Sequence, residues 1–323
     1  MVVFPFKIKF VFPLLIVALL AAGCSMELKK SWNIGRDCDE ECAKSKDSKS
    51  LPSGISGMAA IDDGVLLVVH DTKGDREGPR VGVIQFADSA SPVYHPVSID
   101  WSGYDWPSSD LESASQVPGE QGLFLLAESG YWKGRYGRVF RMRLENDGGT
   151  WSGMVEGHYM LPEETDNIEG MAAVRAEEET LLILAERGGS DKNPQCLLRL
   201  FRIGGGTDEL IVMDEQEFAA PGWTDKARNR DCSDIMVDDM GKLWISSTDD
   251  PGDNGPFRSI IYEAGAVNLD GPLVTLLPVP EERWRLDGLK VEAIGPPMVG
   301  NSGITVGTDD EVYGGILRPL DIK

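Results

Sequence analysis

The chain has 323 residues, a formal net charge of −22, 41% hydrophobic and 26% charged residues. That is the composition of a globular protein, and the acidic balance excludes a nucleic-acid partner, because phosphate backbones select for Lys and Arg. Gly 37 and Pro 19 mark a chain with many turns.

Residues 1–23 read as a targeting segment. Lys7 and Lys9 precede the apolar run "FVFPLLIVALLAAG", which is too short for a spanning helix. The run ends in "LLAAGCS", a lipobox-like pattern that predicts lipidation of Cys24 as the mature N-terminus. Ordinary signal cleavage nearby is the alternative. Ser25 is not the aspartate associated with inner-membrane retention, so outer-membrane anchoring in a bacterial envelope is expected. Export makes disulfides available. Of the remaining cysteines, Cys38 and Cys42 have no second pair with zinc-ligand spacing; with Cys196 and Cys232 they allow three connectivities. Residues 24–50 would be tether and crossing.

From residue 51 to 323 the chain alternates short β-rich runs with turns. "ISGMAAI", "LESASQV", "IEGMAAV", "CSDIMVD" and "VEAIGPP" each precede a second strand: "GVLLVVHD", "GLFLLAES", "TLLILAER", "KLWISSTD" and "GITVGTDD". Third and fourth strands follow in most units. Four short strands repeated five times predict an all-β, five-bladed β-propeller. The fifth unit ends without a fourth strand, and "KSWNIG" at 30–35 is the candidate to close it; a tether without structure is the alternative. "IGGGTDE" at 203–209 reads as a hairpin turn, and no nucleophile elbow, P-loop or H-E-x-x-H occurs.

Aligning the first strands brings Ser56, Glu112, Glu169, Ser233 and Glu292 to one position, 56, 57, 64 and 59 residues apart. In a propeller these converge on the axis. Three converging carboxylates resist ionisation unless a cation joins them, and oxygen-only donors suit calcium. The alternative is a wet tunnel in which each carboxylate accepts backbone N–H bonds.

These blade openings resemble those of the SdiA-regulated family of bacterial envelope propellers. The Ser-Glu-Glu-Ser-Glu order also resembles calcium-activated apyrases, five-bladed propellers with calcium in the tunnel. The resemblance implies that the five aligned residues are calcium ligands. It covers about residues 54–320 at the level of blade openings; "CSDIMV" and "VEAIGPP" are loose matches, and the apyrases' basic nucleotide-binding loops have no copy here.

Loops on the ring's face carry Trp101, Trp106, Trp132, Trp223 and Trp284, which read either as a ligand-stacking surface for a small molecule or glycan or as plugs between blades. His70, Asp71 and Arg187, at the ends of second strands, complete the candidate ligand set. Cys196 and Cys232 fall in loops of adjacent blades on one face, predicting a Cys196–Cys232 disulfide and a local Cys38–Cys42 pair. Two functions follow: a calcium-binding propeller with a ligand on its aromatic face, or a calcium-dependent hydrolase of phosphate anhydrides or esters.

Overall fold

The structure is a computed structural model that describes residues 32–34, 54–74, 76–86, 92–130, 136–163, 165, 167–176, 179–190, 193–203, 209–223, 228–268, 273–298 and 302–321. The leader, Cys24, Cys38, Cys42 and Trp132 lie outside the described residues.

In chain order, β1 (Trp32–Ile34) precedes blade one, formed by β2 (Gly57–Asp62), β3 (Val65–Val69), β4 (Val81–Gln85) and β5 (Val93–Pro96). Blade two comprises β6 (Ser98–Asp100), β7 (Leu111–Gln116), β8 (Leu123–Glu128), β9 (Arg138–Asp147) and β10 (Thr150–Met160). Blade three is β11 (Ile168–Ala176), β12 (Glu179–Glu186), β13 (Cys196–Ile203) and β14 (Leu210–Phe218). Blade four is β15 (Asn229–Val237), β16 (Lys242–Asp249), β17 (Arg258–Val267) and β18 (Val274–Asp287). Blade five holds β19 (Val291–Gly295), β20 (Ile304–Thr308) and β21 (Gly315–Leu320), and β1 completes it, antiparallel to β21 with Trp32 opposite Leu317 and Ile34 opposite Gly315. The inner strands β2, β7, β11, β15 and β19 each neighbour the next, and β19 returns to β2, so the ring is closed. This is the five-bladed β-propeller expected from the repeats.

The run "VYHPVSI", which by its place after the third strand of the first unit reads as a single fourth strand, serves as two. It divides at Val97 into β5 in blade one and β6, which lies parallel to β10 in blade two. The chain changes blades there, so one apolar run serves two sheets.

The second strands are nearly uninterrupted apolar runs because every blade is covered on both faces. Successive side chains of a strand point to opposite faces. Leu123, Leu125 and Ala127 of β8 therefore pack toward blade three, while Phe124 and Leu126 join the seam with blade one. Likewise Leu182 and Leu184 of β12 face blade two, and Leu181, Ile183 and Ala185 face blade four. Two further seams, blade five with blade one and blade four with blade five, carry their own apolar cores. Burial of each such Leu or Ile is worth about 1.5–3 kcal/mol. The core is thus five radial wedges, and the axis is left for polar groups.

Candidate functional site in the mouth of the tunnel

The three glutamates of the aligned set occupy one structural position. Glu112 lies in the register shift between Leu111 and Ser113, Glu169 in that between Ile168 and Gly170, and Glu292 in that between Val291 and Ala293. A β-bulge re-aims the side chain it carries, and here each points a carboxylate into one cavity. In blade four the irregularity is wider, from Arg230 to Asp234, and Arg230 takes the cavity-facing place. Backbone bonds between blades hold the strand entries: Ile55 N–H to Thr308 O (2.9 Å), Asp110 N–H to Thr72 O (3.2 Å), Ile168 N–H to Ser129 O (2.5 Å) and Cys232 N–H to Arg187 O (3.1 Å). Asp110 (φ 63°) and Asn167 (φ 50°) sit two residues before Glu112 and Glu169 in the left-handed region, which Asp and Asn tolerate better than most residues.

The cavity is about 260 Å³ and is lined by Asp71, Asp110, Glu112, Glu169, Glu292, Asp309 and Glu311 against Lys73, Arg187, Arg230 and Lys290, with Ser129 and Asn167. Seven carboxylates face four cations. Every cation is engaged. Arg230 contacts Glu292 (3.0 Å), Glu169 (3.6 Å) and Asp250 (2.5 Å). Lys290 contacts Glu292 (2.8 Å) and Glu311 (2.5 Å). Arg187 reaches Glu169 (3.6 Å), and Lys73 pairs with Asp110, which also accepts the Ser129 hydroxyl (2.8 Å). Glu112 and Asp71 are the exceptions: neither makes a hydrogen bond or ion pair among the described residues, and of the two Glu112 lies on the inner-strand position shared with Glu169 and Glu292.

The electrostatics follow from this division. Burial pushes the Glu112 carboxyl well above the ordinary range, and Glu169, Asp110 and Glu292 push it further. Burial raises Glu169 to about 7 although Arg230 and Arg187 pull it down. Burial, with Glu292 beside it, raises Asp309 to about 8. Burial opposes the charges of Arg230 and Lys290, yet the carboxylates around them win and hold both above their usual values.

Of the aligned five, the structure brings Glu112, Glu169 and Glu292 together at the cavity. Ser56 and Ser233 are not among its lining residues. Both are buried, and both hydroxyls lack a hydrogen-bond partner in the structure. Among the described residues no three His, Cys, Asp or Glu side chains stand close enough together to hold one metal ion. Arg230 stands between Glu169 and Glu292, in contact with both. The donor chemistry still fits a hard cation on the Glu112 side, where a carboxylate lacks a partner.

The expected aromatic surface is not found there: no aromatic residue lines the cavity among those described. Trp101 packs edge-on against Phe140 (5.2 Å) in the seam of blades one and two. Trp223 is buried, donates to Ser247 Oγ (2.7 Å) and lies between the guanidinium groups of Arg258 and Arg285. Trp284 stacks on Trp244 (5.6 Å) and donates to Asp321 O. These three fill volume between blades, which large flat side chains do well. Trp106 is 45% exposed, outside the cavity's lining. His70 is buried away from it, with Nδ1 2.5 Å from Gly54 O and Nε2 3.1 Å from the Tyr94 hydroxyl; burial lowers its pKa to about 4, so it is neutral at physiological pH. Asp71 and Arg187 do line the cavity.

The expected Cys196–Cys232 disulfide is also corrected. The two side chains meet, but as free thiols buried in the core of blades three and four. Burial, and the hydrogen bond with Cys196, raise the Cys232 pKa, and both thiols act as small apolar core groups.

Residues that the alignment did not supply, Arg230, Lys290, Asp110 and Asn167, lie two or three positions before the aligned ones. The position two before each aligned residue reads Gly, Asp, Asn, Asp, Lys, a polar series that marks the strand entry.

No family model matches the chain, and no curated protein matches it. Among solved structures, an exo-1,5-alpha-L-arabinanase from a bovine ruminal metagenomic library is 12% identical, with 83% of this chain and 91% of that chain covered at a TM-score of 0.48. An endo-arabinase from Bacteroides thetaiotaomicron is 11% identical over 84% and 94%, TM-score 0.44. Apo AztD from Citrobacter koseri is 13% identical over 70% and 47%, TM-score 0.32. Likeness at this level extends to no activity.

Proposed function

We propose that this propeller is a ligand-binding protein of the bacterial envelope whose tunnel mouth takes a calcium ion. The observation that carries the reading is Glu112, a carboxylate facing a cavity of six further acids with no cation of its own. Unpaired buried charge is costly, and a hard divalent ion with oxygen donors relieves it. Glu112 would lead the donors, and Glu169 and Glu292, which do not form a ready-made ring with it, would turn from their cations to join it. Bound calcium would supply positive charge and further coordination positions for ligand oxygens.

The ligand class follows from the cations. All four in the mouth already pair with carboxylates, so a phosphate finds no free partner among the described residues. Hydroxyl donors of a glycan or other polyol suit the surplus of acceptors. The run "LLAAGCS" supports lipidation at Cys24, and with it attachment to the outer membrane; Cys24→Ser would then release the protein to the soluble fraction.

Calcium is tested by thermal unfolding of metal-stripped protein. At a hundredfold excess over Kd a bound ion adds about 2.7 kcal/mol, so Tm should rise with calcium and less with magnesium. Glu112→Gln and Glu169→Ala should each abolish the rise. A Tm indifferent to calcium in the wild-type protein removes the ion from this reading.

A second reading rests on Asp309. A carboxyl at about 8 on the cavity lining retains its proton near neutral pH, as a general acid requires. Hydrolysis of phosphate esters or anhydrides would use it with the metal.

A further inference from the structure

The tunnel has a second end. Where β2, β7, β11, β15 and β19 finish, the inner strands open into a cavity of about 510 Å³. It shares no lining residue with the polar mouth. Its walls include Met58, Met171, Met236, Ile294, Ile304 and Trp244. The size falls within the range of small-molecule sites, which are mostly apolar with a few placed polar groups. Methionine supplies an adaptable wall for a flexible apolar guest.

At the inner end neighbouring strands approach closely, and Ser113 and Asp234 meet across the ring. A Cβ at Gly57 would lie 2.6 Å from Ser113 Cα, and one at Gly170 would lie 2.7 Å from Ile235 N. Asp234 ties the same level together, accepting from Ile294 N–H (2.6 Å) and from Ser113 Oγ (3.4 Å). A guest therefore enters from the outer end and stops before the glutamates.

The outer end is acidic. Asp239 lines the cavity, and its carboxylate makes no hydrogen bond or ion pair among the described residues. Its neighbour Asp238 is occupied with the N–H groups of Met240 and Lys242 and with Trp244 Nε1. Asp62 ends β2 and Asp63 opens the turn after it, and neither carboxylate has an ion pair among the described residues. Lys242, the cation of the β15–β16 hairpin, is held by Glu263 at 2.9 Å. Beside them Met240 is 74% exposed. An apolar well beneath unpaired carboxylates complements one chemistry.

We infer that this end of the tunnel is a binding site for a cationic amphiphile, the apolar tail seated among Met58, Met171, Met236 and Trp244 and the positive head beside Asp239. The inference stands apart from the calcium reading, since the two cavities are separated by the inner-strand contact.

The test uses three probes with one dodecyl tail and different heads: trimethylammonium, maltoside and sulfate, each titrated below its micelle concentration by calorimetry. The expected result is saturable one-site binding of the ammonium probe, at least tenfold tighter than the maltoside, with the sulfate weakest. Asp239→Asn, on the surface, should lower ammonium affinity about threefold or more and leave the maltoside unchanged. Met236→Trp, which fills the cavity, should abolish binding of all three; if it fails to fold, the Asp239→Asn comparison decides. Equal affinity for the three heads, a head preference untouched by Asp239→Asn, or full binding by a folded Met236→Trp protein would each overturn the inference.

Discussion

Arg230 is the residue on which the polar mouth depends most. Its guanidinium meets Glu169, Glu292 and Asp250, and its side chain is only 19% exposed. Arg230→Leu leaves these three acids with only Lys290 and Arg187 to compensate them. Breaking a buried ion pair costs about 3–5 kcal/mol, and the cavity's access to solvent places this case near the lower end. About 3 kcal/mol lowers Tm by roughly 6–12 °C in a protein of this size class. The loss should depend on pH. Without Arg230 the folded-state pKa of Glu169, already raised to about 7, rises further. A raised carboxyl favours the folded state below its unfolded pKa and loses that advantage as pH climbs through the folded value. The variant should therefore be nearly as stable as wild type at pH 5 and most impaired above pH 7. Thermal melts of both proteins between pH 5 and pH 8.5 measure this. If Tm falls by less than 2 °C, or equally at both ends of the range, the account of the mouth as a charge-compensated cluster is wrong.

Because β12 is covered on both faces, adjacent residues should be equally costly to truncate: Leu182→Ala and Ile183→Ala each lower stability by about 2–5 kcal/mol in denaturant titrations, whereas a one-sided sheet would spare one of them. Gly170→Ala places a methyl group against the Ile235 backbone and should cost on the order of 1–3 kcal/mol, as overpacking does; an unchanged melting curve would show the inner strands to be looser than described. Nucleoside di- and triphosphates should not be turned over above background in millimolar calcium, and phosphate release that needs calcium and is lost in Glu169→Ala would promote the hydrolase reading.

The blades were legible because each second strand must be apolar on both sides, which leaves runs such as "TLLILAE" that periodicity arguments detect readily. The glutamates were legible because a repeated entry geometry repeats its residue type. The places of Arg230 and Lys290 in the ring were not, for a physical reason: Lys290 acts from the residue before β19, and Arg230, within β15, is shifted one place relative to its counterparts by the wide irregularity of blade four. Ser56 and Ser233 fall at the aligned sequence positions but do not line the cavity, and in blade four Arg230 takes the facing place. The tryptophans misled because a ligand platform and an inter-blade plug ask for the same side chain, and only neighbours such as Phe140 or Trp244 distinguish them. Cys196 and Cys232 were placed together correctly, but proximity in a core does not entail a bond.

The pairing of β1 with β21 joins the first described residues to the last. Nearly the whole chain separates Trp32 from Leu317, so this contact carries the largest loop-closure cost in the fold. Blades one to four can form from local hairpins as they emerge, but the ring has no latch until β21 exists. Closure therefore cannot precede the synthesis of β21, and without β1 blade five presents an unpaired edge strand. A segment of three residues thus sets the earliest moment at which the circle can shut, namely when β21 is available to receive it.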